Sequence, residues 1–211
     1  KEGLHKFCDF DPKFGNGNCI FSDGEYLWIG TENNLFSVSV NNPFAPHLVL
    51  SDVFVKHLYK SKRNDLWVST DMSGVYRISS QNQVTNFRNS PGKESLSDDH
   101  VRNVVEDEFG NIWIGTFYGL NKYDPITNKW KCYTQIDNVP YSLSHSSVFS
   151  LYKDMQGNIW VGTYFGGINR FNPRADIYHF YGALGGNNPN YLSFPFVGKM
   201  VEDKNGNLWI C

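Results

Sequence analysis

The stretch Val104-Val105-Glu106-Asp107-Glu108-Phe109-Gly110-Asn111-Ile112-Trp113-Ile114-Gly115-Thr116-Phe117-Tyr118-Gly119-Leu120-Asn121-Lys122-Tyr123-Asp124-Pro125 decides the fold, because the chain repeats it. Its centre, Asn111-Ile112-Trp113-Ile114-Gly115-Thr116, matches Asn158-Ile159-Trp160-Val161-Gly162-Thr163, Asp65-Leu66-Trp67-Val68-Ser69-Thr70 and Tyr26-Leu27-Trp28-Ile29-Gly30-Thr31. A fifth copy begins at Asn207-Leu208-Trp209-Ile210. Five of the six tryptophans occupy this one position, at spacings of 39, 46, 47 and 49 residues. Self-similarity at that period belongs to propeller blades or solenoids.

The interior of the repeat separates the two. Val101-Arg102-Asn103-Val104-Val105 and Val148-Phe149-Ser150-Leu151-Tyr152 read as strands. An Asp-to-Gly turn follows each, Asp107 to Gly110 and Asp154 to Gly157, with an Asp that bonds its own backbone and a Gly suited to positive φ. The Trp strand comes next. Leu120-Asn121-Lys122-Tyr123 and Ile168-Asn169-Arg170-Phe171 form the third strand, ended by Asp124-Pro125 and Asn172-Pro173, since proline cannot continue a central ladder. Trp130-Lys131-Cys132-Tyr133 and Ile177-Tyr178-His179-Phe180 supply the fourth. Four strands per unit without a helical period describe a propeller blade. Ile112-Trp113-Ile114 is apolar in succession, as a strand covered on both faces should be, and Gly115 and Gly162 are expected to admit an aromatic ring of the neighbouring blade. The expectation is an all-β, partial β-propeller of four-stranded antiparallel blades over residues 1–211, with four repeats and a truncated fifth. An antiparallel sandwich has no reason to repeat its sequence.

Composition agrees. Of the 211 residues, 40% are hydrophobic, 16% aromatic and 19% charged, with a net charge of −2. That excludes a disordered chain and shows no footprint for nucleic acid. The opening KEGLHKF carries no apolar signal core, and the chain stops within a strand-like run, so it is expected to continue in a longer protein. Cys8, Cys19, Cys132 and Cys211 show no zinc spacing. Cys8 and Cys19 either pair in an oxidising compartment or stay separate.

These repeats resemble the two-component regulator propeller repeat, which builds the periplasmic sensor of hybrid two-component systems in glycan-degrading bacteria. The copies around Trp113 and Trp160 carry the likeness most fully; that around Trp28 is degenerate, with Ser22-Asp23-Gly24-Glu25 for its turn, and that around Trp67 has Asn64 and Ser69 in place of Gly. The resemblance implies a membrane-anchored histidine kinase whose periplasmic part senses oligosaccharides, acts as a homodimer and pairs this chain with the remaining blades. It implies no cofactor and no catalysis by this region. The alternatives are a propeller-based glycosidase or lyase, or a structural propeller that binds protein.

No nucleotide loop or nucleophile elbow is present. The pairs Glu106-Asp107 and Glu202-Asp203 resemble an acid/base couple, but they recur at the same turn in each repeat, which marks a structural role. No two of the six histidines have metal-ligand spacing, and no metal is expected. In a meander, the turn after the Trp strand and the link into the next blade share one face. That face is expected to hold Phe117 and Tyr118, Tyr164 and Phe165, and the links bearing His100 and His145. Aromatic faces among polar groups suit sugar rings, so these six residues are the candidate ligand site. The competing reading packs the four aromatics between blades. No catalytic residue is expected.

Overall fold

In the computed structural model, residues 15–139, 142–174, 177–182, 192, 194 and 196–211 are described. Among them there is no helix. The first blade is β1 (Gly17–Ser22), β2 (Tyr26–Thr31), β3 (Asn34–Ser39) and β4 (Asn42–Ser51). The second is β5 (Phe54–Lys60), β6 (Leu66–Asp71), β7 (Val75–Ile78) and β8 (Val84–Phe87). The third is β9 (Val101–Glu106), β10 (Ile112–Thr116), β11 (Gly119–Asp124) and β12 (Lys129–Tyr133). The fourth is β13 (Val148–Lys153), β14 (Ile159–Thr163), β15 (Ile168–Asn172) and β16 (Ile177–Tyr181), and β17 (Met200–Glu202) with β18 (Leu208–Ile210) starts a fifth. Each of the first four is an antiparallel meander in chain order. The first strands β1, β5, β9 and β13 contact one another in sequence, so they form the hub. The architecture is a partial β-propeller, with open sheets rather than a closed barrel.

The turn chemistry explains the repeat. Asp107 Oδ1 accepts from the backbone N–H groups of Phe109 and Asn111, both at 2.9 Å. Its Oδ2 accepts from Asn111 Nδ2 at 2.8 Å and Trp113 Nε1 at 2.9 Å. Gly110 takes the left-handed φ of 85° that closes the turn. One carboxylate thus satisfies four donors and ties the turn to the Trp strand. The same indole bond recurs from Trp28 to Asp23, Trp160 to Asp154 and Trp209 to Asp203, at 3.1, 2.8 and 3.1 Å. The second blade departs: Ser61 stands in the Asp position, and Trp67 Nε1 is buried without a partner. There Asn64 replaces the turn glycine and adopts φ 64°.

Three apolar clusters fill the spaces between neighbouring blades, such as Trp113, Val148, Val161 and Phe171 between the third and fourth. Trp113 stacks on Tyr133 of its own blade at 5.7 Å and meets Phe171 of the next at 4.8 Å. Trp67 does the same with Phe87 at 5.7 Å and Tyr123 at 5.9 Å. Trp113 is wholly buried, whereas Trp209, with no described blade over it, is 63% exposed. The glycines after the Trp strand admit valine, not the aromatic ring expected. A Cβ on Gly115 would lie 2.6 Å from Val148 Cγ1, one on Gly30 2.5 Å from Val55 Cγ1, and one on Gly162 2.8 Å from Val197 Cγ1. The short branched chain is used because the hub is where blades converge most closely, and the rings sit further out, over the indoles.

The recurring acidic pairs have structural partners. Buried Glu106 accepts the backbone N–H of Lys62 in the preceding blade at 2.7 Å, and Glu202 accepts that of Met155 at 2.9 Å. Cys8 lies outside the described residues. The Cys19 thiol packs against Gly30 at the hub, and burial pushes it up to about 11, well away from reactive thiolate chemistry.

Candidate functional site

Thr116 ends its strand by donating Oγ1–H to Gly119 O at 2.9 Å, and Thr163 does the same to Gly167 O at 2.9 Å. These bonds close the turns that carry Phe117-Tyr118 and Tyr164-Phe165. The intervening links are clamped as well. Asn121 accepts from Ser97 N at 3.0 Å and donates to Ser97 Oγ at 2.8 Å; Asn169 grips Ser144 identically at 3.1 and 2.7 Å. Turn and link are therefore held together on one face of each blade.

Of the four aromatics, Tyr164 packs across a blade boundary, edge-on to Phe196 of the segment entering the fifth blade at 5.5 Å, as the competing reading expects; the other three are mostly exposed. Phe117, Tyr118 and Phe165 are 52%, 60% and 60% exposed, and Tyr164 is partly exposed. Each histidine braces its own blade's turn. The backbone N–H of Phe117 donates to His100 O at 3.0 Å, and the two rings lie 6.0 Å apart. His145 lies 6.2 Å from Phe165. His100 Nδ1 is 2.9 Å from Asp98 Oδ1, and His145 Nδ1 accepts from Ser147 N at 3.1 Å. An accepting Nδ1 leaves the His145 proton on Nε2.

Two residues that the sequence reading passed over join the blades. The Arg102 guanidinium lies 5.7 Å from the Phe117 ring and 4.7 Å from the Phe149 ring. Phe149 in turn meets Tyr164 at 6.4 Å and Phe196 at 4.6 Å. The candidate aromatics of the third and fourth blades thus belong to one continuous surface, with Arg102 and Phe149 as its centre.

That surface leads to an axial cavity of about 460 Å³ lined by first-strand residues of the first four blades and by Gly198 and Lys199, just before β17. Its shape follows from a bulge repeated in β1, β5, β9 and β13. In the third blade Val101 pairs with Thr116 and Asn103 with Gly115, so Arg102 has no cross-strand partner. The equivalent unpaired residues are Asn18, Lys56 and Phe149. A bulge re-aims the side chain it carries, and all four line the cavity. Lys56 is paired with Asp71 at 3.1 Å. His57, one residue on, is held neutral by burial, which presses it down to about 4. Among the described residues no group of three or more His, Cys, Asp or Glu has metal-binding geometry.

Residues 95–118 and 142–165 match the two component regulator propeller family model. These ranges run from the Ser-Leu-Ser link through the Trp strand to the aromatic turn of the third and fourth blades. No curated protein matches the chain. Among solved structures, virginiamycin B lyase of Staphylococcus aureus is similar, with TM-score 0.68 and 13% identity over 93% of this chain and 63% of that one. PorZ, a surface component of the type-IX secretion system of Porphyromonas gingivalis, has TM-score 0.67 and 16% identity over 92% and 31%. The extracellular domain assigned to a hybrid two component system of B. thetaiotaomicron has TM-score 0.55 and 16% identity over 96% and 40%. The chain spans less than two thirds of each of these proteins, and at such identities the likeness is one of fold.

Proposed function

We propose that this propeller is the ligand-recognising, extracytoplasmic part of a two-component sensor, and that its ligand is an oligosaccharide. One observation carries the reading: four aromatic rings, Phe117, Tyr118, Tyr164 and Phe165, stand exposed on adjacent turns whose backbone is clamped. Leaving such rings in water forfeits burial free energy that the same repeat collects elsewhere. Held rigidly, they offer apolar faces to the C–H face of a pyranose, with His100 and His145 beside them for hydroxyls. The match of the third and fourth blades to the regulator propeller supports the sensor role, and a periplasmic location on an inner-membrane protein goes with it. In this reading the chain binds and transmits, and the phosphotransfer chemistry belongs to other parts of the protein. The remaining blades and a second protomer are the proposed partners; the exposed Trp209 and Val201 supply apolar surface for one of them.

A calorimetric panel of oligosaccharides against the 211-residue chain tests this. At least one should bind, and Tyr118→Ala with Phe165→Ala should weaken it about tenfold or more, the loss of roughly one stacking contact. Unchanged affinity in the double variant, or no sugar bound, would refute it.

A further inference from the structure

At the hub one position is kept and the next one is not. Val55, Val101, Val148 and Val197 fill the same hub site and are all buried. The residue following each is Lys56, Arg102, Phe149 and Gly198, the first three set at the bulge as Asn18 is in the first blade. A residue needed only to close the hub would have no reason to vary so widely in charge and size. Variation at a position that points into a cavity fits recognition of an asymmetric ligand.

The charge there is one-sided. Three cations, Lys56, Arg102 and Lys199, line the cavity against the single carboxylate of Asp71, which already holds Lys56. Among the described residues neither Arg102 nor Lys199 has a carboxylate within ion-pair distance. Arg102 rests on the faces of Phe117 and Phe149. Stacking of this kind uses the face of the guanidinium and leaves its N–H edge available for bidentate bonding. His57 Nδ1 and Asn103 Oδ1 are buried beside it without hydrogen-bond partners. A cleft with low-dielectric walls and unbalanced positive charge concentrates anions.

We infer that the axial cavity binds an oxyanion, carboxylate or sulfate, borne on a sugar ring, with Arg102 as its bidentate anchor and Lys199 as the second cation. The ring carrying that group then reaches the exposed turns past Phe149. The inference rests on the oligosaccharide reading above and adds the class of sugar.

The test titrates the 211-residue chain with trigalacturonate, a sulfated disaccharide, maltotriose and inorganic sulfate. One acidic sugar should bind, more weakly as NaCl is raised, and which of the two binds identifies the oxyanion. Arg102→Gln should weaken it about tenfold or more, the worth of one charge-assisted hydrogen bond. Arg102→Lys and Lys199→Gln should lose less, with the thermal unfolding of all three unchanged. Should Arg102→Gln fold poorly, Arg102→Lys and the salt dependence carry the same decision. Maltotriose binding as tightly as the acidic sugars, or untouched affinity in the Arg102 variants, would overturn the inference and leave the oligosaccharide reading standing. Inorganic sulfate binding as tightly as the acidic sugar would also overturn it, since the ring would then contribute nothing. Failure of every sugar would overturn both.

Discussion

The second blade lacks the carboxylate that binds the indole at the same position of the other four repeats, and restoring it is a two-residue problem. Trp67 is almost wholly buried and its Nε1–H has no acceptor. A buried donor left unpaired costs about 1–3 kcal/mol. Ser61→Asp alone places an acceptor at the position from which Asp107 and Asp154 reach their indoles. In those blades, however, the same carboxylate also accepts from the side chain of Asn111 or Asn158, at 2.8 Å in both cases. The second blade has Asp65 at that position, so the single substitution sets two carboxylates face to face. We expect Ser61→Asp alone to be neutral or destabilising, and Ser61→Asp with Asp65→Asn to be more stable than the parent by about 1–2 kcal/mol. For a chain of this length that gain raises Tm by about 2–8 °C. Urea unfolding of the parent, both single variants and the double variant gives the coupling, which should favour the double variant by about 1 kcal/mol or more. Additive single effects, or a double variant no more stable than the parent, would refute the assignment of Asp as the acceptor that closes the turn on the indole.

Two further expectations concern the hub. Gly115→Ala should destabilise by about 1–3 kcal/mol, because its Cβ would lie 2.6 Å from Val148 Cγ1, and Val148→Ala in the same chain should recover part of that loss. Denaturant midpoints of the two single variants and the pair check this; no recovery would place the strain elsewhere. His57 is pressed by burial from 6.5 to about 4, so between these values the unfolded chain binds the extra proton. Stability should therefore hold above about pH 6.5 and decline by up to about 3 kcal/mol as the pH approaches 4. His57→Gln should flatten that part of the pH profile, measured by urea unfolding. The window lies above that of Asp203, whose carboxyl is held to about 2 by the side chain and backbone of Asn207 and by Trp209.

Most of the architecture could be read from the chain because its stabilising contacts are local and repeated. Asp107, Gly110, Asn111 and Trp113 lie within seven residues of one another and complete their hydrogen bonds inside one hairpin. Such a unit leaves its signature in sequence each time it recurs, and the aromatic turns follow from it, since a meander alternates its connections between two faces. The degeneracy of the second blade shows in the sequence as Asn64 and Ser69, whereas the consequence of Ser61 for the Trp67 indole shows only in the structure. The choice of valine over an aromatic ring at Gly115 was not visible, because it depends on how closely blades approach near the axis, which no single repeat encodes. The same holds for Arg102, Lys56 and Phe149. Their positions look like ordinary interruptions of a strand pattern. They acquire a common purpose only when the bulges of successive blades turn them toward one axis, bringing together residues about 46 positions apart. Chain periodicity specifies contacts within a repeat; convergence of unlike residues at the centre is a property of the radial packing, which exists only once the blades are assembled.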